Sequence, residues 1–283
     1  MPQDFVTRAI VRTARRLPGF PALSVLDLSC GRGEILSQLA RDGCTVRGTH
    51  YREDDYKLSG QAAPLLTPGL PIDSGVDLHA PLPYPDAAYD VVILSEVVEH
   101  LFSFIPVVRE AGRVLKPGGF LILSTPNLAR LHSRWHYFWT GAHKLIRRRV
   151  GWDISADDFY AYHINPLDFP VFHTVLFQTG MEVRSLTFTR FKPGHAWLLL
   201  LYPLVWLTTK LETSRHRSGE QHARGERDLF RWMVHPAMLA SEQLLVVAQK
   251  KKQDSWEPVR VNDESENFEG TGLQGSRAES PEA

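Results

Sequence analysis

Along this chain, segments whose apolar residues favour strands alternate with segments whose apolar residues have helical spacing. Short β-rich runs occur at SVLDLSC, TVRGTH, YDVVILS and GGFLILST, and later at MEVRSLTFTR and QLLVVAQK. Between the earlier runs lie segments that favour helices, such as GEILSQLARDG and VVREAGRVLKPGG. Strands that alternate with helices predict an α/β fold, a parallel sheet with helices on both faces. The KPGG sequence at 116–119 predicts a helix end followed by a tight turn.

Both terminal segments depart from this pattern and set the expected domain boundaries. Residues 1–24 carry four arginines and no unbroken apolar core, which predicts a short basic amphipathic helix and not a secretory signal. This helix either packs on the domain surface or faces a membrane or a phosphate. The composition of 251–283 is too polar to bury a core, so we predict a disordered tail. The main domain is then expected at 25–250.

An apolar helical insertion is predicted at 192–238, before the last strand. Its most apolar part, AWLLLLYPLVWL at 196–207, carries two tryptophans and a tyrosine around a central proline. The segment is too short to cross a bilayer, which needs about 20 apolar residues. It therefore either forms a buried helix of the domain or rests in a membrane interface with its aromatic side chains at headgroup level.

The overall composition narrows the function classes. The chain has 283 residues, with 32 Lys plus Arg and 32 Asp plus Glu, so its formal net charge is zero. Without a global basic field, any anion binding must be local, and nucleic acid is disfavoured as a partner. The two cysteines, Cys30 and Cys44, do not predict a disulfide framework and fit a reducing compartment. We expect a cytoplasmic protein, at the inner face of the membrane if the insertion contacts lipid.

The segment VLDLSCGRGE, at 25–34, joins an apolar strand to a helix through a glycine turn. Gly31 and Gly33 let the backbone approach a ligand closely, and ligands bind at the strand ends of parallel sheets. Asp27 could orient a cationic group of that ligand. As a bare pattern the turn is weak evidence, because it lacks the third glycine of a dinucleotide fingerprint.

The segment ILSEVVEHLF, at 93–102, places three polar residues directly after an apolar strand. On a helix, Glu96, Glu99 and His100 would share one face, because their spacing is i, i+3 and i+4. Such a set could ligate a metal, act as an acid and base, or form the polar start of a helix at a pocket edge.

The order of these motifs resembles that of the class I S-adenosylmethionine-dependent methyltransferases. VLDLSCGRGE is similar to their first motif, an acidic residue followed by small-Cys-Gly-x-Gly. DLHAPLPYPDAAYDVVILSEVVEHL and EAGRVLKPGGFLILSTPN are similar to the later motifs, so the match covers 22–127, with weaker agreement to about 190 and at 241–250. The resemblance implies a Rossmann-like, doubly wound, mostly parallel seven-stranded sheet, S-adenosyl-L-methionine as cofactor, and methyl transfer as the reaction.

The resemblance also implies cofactor contacts position by position. The residues implied on the methionine and ribose side are Asp27, Ser29, Gly31 and Gly33. Those implied at the adenine are Asp77 and Leu78, and the residue implied beside the methionine moiety is Ser95.

One position departs from the family pattern. At the end of the second strand the family carries an acid that accepts bonds from both ribose hydroxyls, and His50 stands there instead. A neutral imidazole accepts only one such bond. Either His50 serves singly, or Glu53 or Asp54 reaches in, or cofactor affinity is reduced. Tyr51 is expected to pack on the adenine or in the core.

The Glu-x-x-Glu-His pattern resembles the metal-binding face of ubiquinone-pathway O-methyltransferases and of small-RNA 3′-end methyltransferases, where a divalent ion activates a hydroxyl. This implies Glu96, Glu99 and His100 as metal ligands. Alternatively, His100 is the general base with Glu99 beside it, or the motif only shapes the pocket. His163 is a candidate fourth partner, a substrate contact or a structural residue.

Acceptor-site helices are expected at 128–175, where this fold usually builds that site. The segment mixes aromatic residues with Arg130, Arg134, Lys144 and the arginines at 147–149. Such a mixture suits a phosphorylated, sugar-bearing or aromatic acceptor, or else forms a solvated basic helix. It is similar to segments of bacterial methyltransferases of surface-polysaccharide and lipid-linked glycan pathways.

The leading hypothesis is therefore a methyltransferase that acts on an oxygen of a small-molecule, glycan or lipid-linked acceptor, with peripheral membrane contact through 196–207. One alternative is a metal-dependent quinone or RNA O-methyltransferase, although the chain carries no recognisable RNA-binding module. The other is a non-catalytic cofactor-binding protein of the same fold, which only His50 favours.

Overall fold

Seven strands form a single sheet in the computed structural model, which describes residues 4–51, 69–143, 163–214 and 220–252. The strands are β1 Ser24–Leu28, β2 Thr45–Thr49, β3 Ile72–Asp73, β4 Tyr89–Ser95, β5 Leu115–Pro126, β6 Met181–Thr187 and β7 Gln243–Lys250. Their order across the sheet is β3-β2-β1-β4-β5-β7-β6.

Helices join the strands and cover the sheet. The described α-helices are α1 Asp4–Ala14, α2 Glu34–Asp42, α3 Ile105–Val114, α4 Leu131–Thr140, α5 Phe169–Gln178, α6 Tyr202–Ser214, α7 Glu220–Met233 and α8 Pro236–Ala240. Among the described residues, 3₁₀ helices lie at Val98–His100 and Pro193–Leu201. Helix α5 begins where the Asp168 carboxylate accepts the backbone N–H of Val171 at 3.0 Å, a standard N-cap.

The strand directions confirm the predicted mostly parallel sheet. Strands β1 to β5 pair in parallel, while β7 runs antiparallel to both β5 and β6. Because β7 is reversed, its first residue Gln243 pairs with Pro126, the last residue of β5. The beginning of β7 therefore lies at the same sheet edge as the carboxyl ends of β1, β4 and β5.

Alternate residues of the strands belong to two hydrophobic cores, one on each face of the sheet. On β1, Leu26 and Leu28 belong to the core that packs against α3, α5 and α7, whereas Val25 belongs to the core with α1 and α2. The N-terminal helix α1 buries Val6 and Ile10 in that second core. Its apolar face is thus used for packing on the sheet.

The apolar insertion differs from one of its two predicted arrangements. In the 3₁₀ helix Pro193–Leu201 only Leu198 is buried, and in helix α6 no residue is buried. The prediction of a buried helix is therefore wrong, because most of this segment's apolar surface faces outward. Within the described ranges, no helix is both long enough and apolar enough to cross a membrane.

The KPGG sequence forms a bulge inside β5. Pairing with β4 passes from Leu115 opposite Tyr89 to Phe120 opposite Val91, so the intervening residues loop out of the strand. Gly118 has a φ of 83°, which glycine adopts readily. The predicted tail lies outside the described residues from 253 onward, as does the 144–162 part of the predicted acceptor-site helices.

Candidate active site

The turn between β1 and α2 holds three residues in the left-handed backbone region. The φ angles are 63° at Ser29, 53° at Gly31 and 71° at Gly33. Glycine adopts this region freely, whereas a serine there costs roughly 1–2 kcal/mol. A Cβ on Gly31 would meet no atom within 4 Å, so open space adjoins the backbone at this position. The turn can thus present its peptide groups to a ligand.

Asp27 lies near the carboxyl end of β1 and is only 1% exposed. Neither of its carboxylate oxygens has a hydrogen-bond partner among the described residues. Burial raises the pKa of Asp27 to about 8. A buried carboxylate without protein donors is costly to ionise, so this position suits a cationic ligand that pairs with it.

His50 follows β2 and contacts the glycine turn. Its Nε2 lies 2.7 Å from the carbonyl oxygen of Gly31, and since a carbonyl only accepts, Nε2 carries the ring proton. Nδ1 is then the ring atom that could accept one hydrogen bond from a ribose hydroxyl. Glu53 and Asp54, the predicted alternatives, lie outside the described residues. Tyr51 is 50% exposed, which rules out the core placement weighed for it.

Asp77, which the resemblance places at the adenine, is held by its neighbour His79. Its Oδ1 accepts the His79 backbone N–H at 2.9 Å and lies 3.2 Å from ring Nδ1. The His79 Nε2 accepts the backbone N–H of Phe102 at 3.2 Å, so Nδ1 carries the proton and donates to Asp77. Leu78 between them is buried. This chain of bonds fixes the loop that follows β3.

The backbone after β4 does not continue as the predicted α-helix. Glu96 has a φ of 56°, and the residues that follow it form only the 3₁₀ helix Val98–His100. The predicted helical face shared by Glu96, Glu99 and His100 is therefore wrong, because Glu96 stands outside the helix. A left-handed glutamate is strained, and such strain is concentrated at functional sites.

The Glu96 carboxylate is held by two neighbouring strands. Ser124 of β5 donates its hydroxyl to Oε1 at 3.0 Å, and Gln243 of β7 donates Nε2 to Oε2 at 2.9 Å. Because the Ser124 proton is committed, the hydroxyl of Ser95, 3.3 Å away, donates to Ser124. Ser95, expected beside the methionine moiety, thus belongs to a polar chain across the ends of β4, β5 and β7.

Glu99 is turned into the protein and is 1% exposed. Thr125 donates its hydroxyl to Oε2 at 3.0 Å, while Oε1 has no hydrogen-bond partner among the described residues. Burial, and secondarily the charge of Glu96, raise the pKa of Glu99 well above its usual range. A cation next to Oε1 would stabilise the ionised form.

His100 and His163 join Glu99 in one cluster. The two imidazole centroids are 4.8 Å apart and the rings are nearly perpendicular. Asn165 donates its backbone N–H to the carbonyl of Glu99 at 3.1 Å, which fastens the segment of His163 to the 3₁₀ helix. One ligand atom from each of Glu99, His100 and His163 lies within 4.8 Å of the others. This metal-capable group contains His163 in place of the predicted Glu96.

The site is acidic and its residues fit a cationic cofactor. Asp27 and Glu96 lie at the carboxyl ends of the paired strands β1 and β4, with Glu99 close behind. S-adenosylmethionine carries an ammonium and a sulfonium group. The carboxylate of Asp27, which has no hydrogen-bond partner among the described residues, could pair with such a charge. The open space at Gly31 gives room for the ligand beside that carboxylate.

Several residues that position the site were not predicted from the sequence. Thr125 orients Glu99, Ser124 and Gln243 hold Glu96, and His79 fixes Asp77. Gln243 lies 147 positions beyond Glu96. No local signal marks it, because its role depends on β7 being inserted next to β5.

Comparison with known proteins gives a consistent assignment. Residues 26–123 match the sequence model of a methyltransferase domain. A ubiquinone biosynthesis O-methyltransferase of Methylobacterium nodulans is 33% identical over 125 residues, 44% of this chain and 49% of the relative. The enzyme of the same description from Escherichia coli O9:H4 is 28% identical over 199 residues, 63% of this chain and 80% of the relative. The chain thus aligns with about half of the first relative.

The fold has counterparts among solved structures. A SAM-dependent methyltransferase from Archaeoglobus fulgidus aligns with a TM-score of 0.51 and 16% identity, covering 88% of this chain and 94% of that protein. At this identity the likeness supports the fold, which agrees with the sheet order described above.

Proposed function

Because the chain belongs to the class I S-adenosylmethionine-dependent methyltransferases, we propose that it methylates an oxygen of a small-molecule, glycan or lipid-linked acceptor. The observation that carries this proposal is the cluster of Glu99, His100 and His163 beside the expected cofactor site. A hydroxyl acceptor must lose a proton, and this cluster offers both imidazole bases and ligands for a divalent ion.

The cofactor would be held by residues at or just beyond the carboxyl ends of β1, β2 and β3. Asp27 would pair with its ammonium group, and the peptide groups of the glycine turn would line the methionine and ribose. His50 Nδ1 would accept one ribose hydroxyl, and Asp77 would face the adenine. The bound cofactor supplies a methyl group on a positively charged sulfur, so the protein's main task is to align the acceptor oxygen and exclude water.

The cluster would act on the acceptor oxygen. Glu99, His100 and His163 fit a divalent cation because two nitrogen donors and one carboxylate suit a borderline ion. A divalent ion held there would lower the pKa of a bound hydroxyl. In the alternative without metal, the His100 imidazole takes the hydroxyl proton as the methyl group is transferred, with Glu99 beside it.

A phenolic acceptor of the quinone type is the second candidate. The relatives in Methylobacterium nodulans and Escherichia coli are named for ubiquinone biosynthesis, and a phenol is an oxygen nucleophile whose proton the cluster could remove. This candidate shares the proposed chemistry and differs only in the acceptor.

The proposal is tested by metal removal combined with single substitutions. Chelated protein is assayed with labelled cofactor and a panel of phenols, sugars and lipid-linked glycans, before and after Mg²⁺ or Mn²⁺ is added back. We expect methyl transfer to be lost on chelation and restored when the divalent ion is added back. Glu99→Gln and His163→Ala should weaken Mn²⁺ binding, measured by electron paramagnetic resonance, by about tenfold or more, since each removes a ligand.

Glu96→Gln is the matched control, because its carboxylate lies outside the metal-capable group and accepts from Ser124 and Gln243. It should keep Mn²⁺ affinity within about threefold of wild type. If the protein keeps full activity after chelation and His100→Ala loses it completely, the metal mechanism is wrong and His100 acts as the base directly. If no acceptor in the panel is labelled although the cofactor binds, oxygen methylation of these classes is wrong.

A further inference from the structure

Exposed aromatic and aliphatic side chains are concentrated on one surface of the molecule, away from the two cores. Phe138 of α4 is 74% exposed and Leu200 of the second 3₁₀ helix is 82% exposed. We call this surface the aromatic face. It is defined by Trp135, Phe138, Trp139, Trp197, Leu200 and Leu204.

Ring contacts make the aromatic face continuous across two segments distant in sequence. Trp135 of α4 packs against Trp139 with ring centroids 5.6 Å apart and against Trp197 with centroids 5.4 Å apart. Next to them, the rings of His132 and His195 stack at 3.7 Å. Helix α4 and the second 3₁₀ helix therefore present one surface.

Packing on the inner side leaves an apolar stripe facing outward. Leu198, Leu201 and Val205 pack against Leu131 and Leu239, which attaches the insertion to the domain. The outward residues are Leu200, Leu204, Leu207 and Leu211, each close to half exposed or more. A helix in water rarely displays leucines at this spacing, so a stripe of this kind indicates a partner.

Basic residues outnumber acidic ones in the segments that form the aromatic face, although helix α6 also carries the exposed Glu212. The stretches 129–143 and 188–211 contain five Lys or Arg and four His residues and no Asp or Glu. The cations are Arg130, Arg134, Arg190, Lys192 and Lys210. Of these, Arg190, Lys192 and Lys210 are exposed, whereas Arg130 is buried. A buried acid from the adjoining loop, Glu242, pairs with Lys192 at 2.6 Å and with Arg190 at 3.7 Å. One carboxylate thus faces two cations, so an excess of positive charge remains.

We propose that the aromatic face docks on the interface of an anionic lipid bilayer. Tryptophan and tyrosine rings favour the headgroup level, leucines and phenylalanine favour the acyl boundary, and lysine and arginine favour acidic headgroups. The face combines all three in a net-neutral protein. Helix α4 directly follows β5, so docking would hold the edge that carries Glu96 and Glu99 close to the lipid surface. This inference does not depend on the proposed acceptor or on a metal.

The test is flotation of the full chain with vesicles of phosphatidylcholine and phosphatidylglycerol in equal parts, compared with pure phosphatidylcholine. We expect binding to the anionic vesicles that weakens as salt is raised. The double variant Phe138→Ser/Leu200→Ser should lose affinity by on the order of tenfold or more, since each side chain buries apolar area in the lipid. Both side chains are exposed, so folding should be unaffected.

Phe102→Ser is the matched control, because Phe102 is also 74% exposed but lies outside the aromatic face. It should bind the vesicles as the wild type does. Equal vesicle binding by the double variant, or no binding by the wild type, would overturn the proposal. Sedimentation equilibrium completes the test. If the protein does not bind vesicles but forms a dimer that the double variant abolishes, the aromatic face binds a second copy of the chain and not a bilayer.

Discussion

Asp27 shows at the scale of one residue how binding can oppose stability. Its carboxyl group is buried and lacks donors among the described residues, so the protein without cofactor bears the cost of ionising it. The positive φ angles of Ser29 and Glu96 add backbone strain at the same sheet edge. Several unfavourable local features thus coincide at the expected cofactor site.

The first prediction concerns the pH dependence of Asp27→Asn in the absence of cofactor. Burial raises the folded-state pKa to about 8, above the ordinary 3.8, so the stability of the wild type falls as pH rises through this window. An amide does not titrate. The variant should therefore gain about 3–5 kcal/mol over the wild type between about pH 4 and pH 8, since each pKa unit is about 1.4 kcal/mol. Urea denaturation at a series of pH values measures the difference.

Asp90→Asn is the control for that experiment and should behave in the opposite way. Burial favours a higher pKa for Asp90, but hydrogen bonds from Lys116 and Ser24 outweigh it and leave its pKa below the ordinary value. The ionised Asp90 therefore stabilises the wild type above the unfolded-state pKa. Relative to the wild type, Asp90→Asn should become less stable as pH rises through that range. A pH-independent difference for Asp27→Asn would mean that Asp27 has a hidden partner.

At the scale of elements, one side chain attaches the end of the insertion to the sheet. Asn127 follows β5 and is fully buried. Its Nδ2 donates to the carbonyls of Met238 at 2.8 Å and Ser241 at 3.0 Å, the residues that lead from α8 into β7. Gln243, which holds Glu96, comes two residues later. The position of the Glu96 carboxylate thus depends on this attachment.

We therefore predict that Asn127→Ala is destabilising by about 2–4 kcal/mol, because two buried carbonyls lose their donor. Cofactor affinity should fall less than the rate of methyl transfer, because the lost hydrogen bonds hold the start of β7, which positions Glu96 on the acceptor side. Urea denaturation and calorimetry measure the two effects. Asn127→Asp keeps the size but presents only acceptors, so it should be at least as destabilising; a neutral Asn127→Asp would show that the hydrogen bonds contribute little.

The helices and strands could be predicted from the sequence better than the tertiary contacts between them. Strand β1, its glycine turn and the later strands were evident from apolar runs and from the motif at Asp27, because these signals are local. The 3₁₀ geometry after Glu96 was missed, since the spacing of Glu96, Glu99 and His100 satisfies an α-helix equally well. The place of His163 beside Glu99 depends on the tertiary bond from Asn165, which no spacing encodes.

At the scale of the whole molecule, a net charge of zero conceals an uneven distribution of acidic and basic groups. The carboxylates of Asp27, Glu96 and Glu99 gather at the sheet edge, while the stretches 129–143 and 188–211 carry only basic charges. A cationic cofactor and an anionic surface can thus be attracted to different parts of one neutral protein.

The cofactor should stabilise the entire fold by linkage. At a concentration 100 times its Kd, a ligand that binds only the folded state adds about 2.7 kcal/mol. For a chain of this size that should raise the Tm by roughly 5–10 °C. Asp27→Asn should show a much smaller rise at the same concentration, as followed by scanning calorimetry. No rise for the wild type at about 1 mM cofactor would contradict the proposed cofactor site and, with it, the methyltransferase activity.

The position of β7 has a consequence for how the chain is made. Strand β7 is the last in sequence, yet it lies between β5 and β6. While a ribosome synthesises the chain, the edge of β5 therefore stays unpaired until about 250 residues have been translated and released from the exit tunnel. An open edge of this kind is prone to aggregation, so the nascent chain should depend on chaperones until β7 closes the gap. A chain that ends before Gln243 should expose this edge permanently and lack an organised acceptor side.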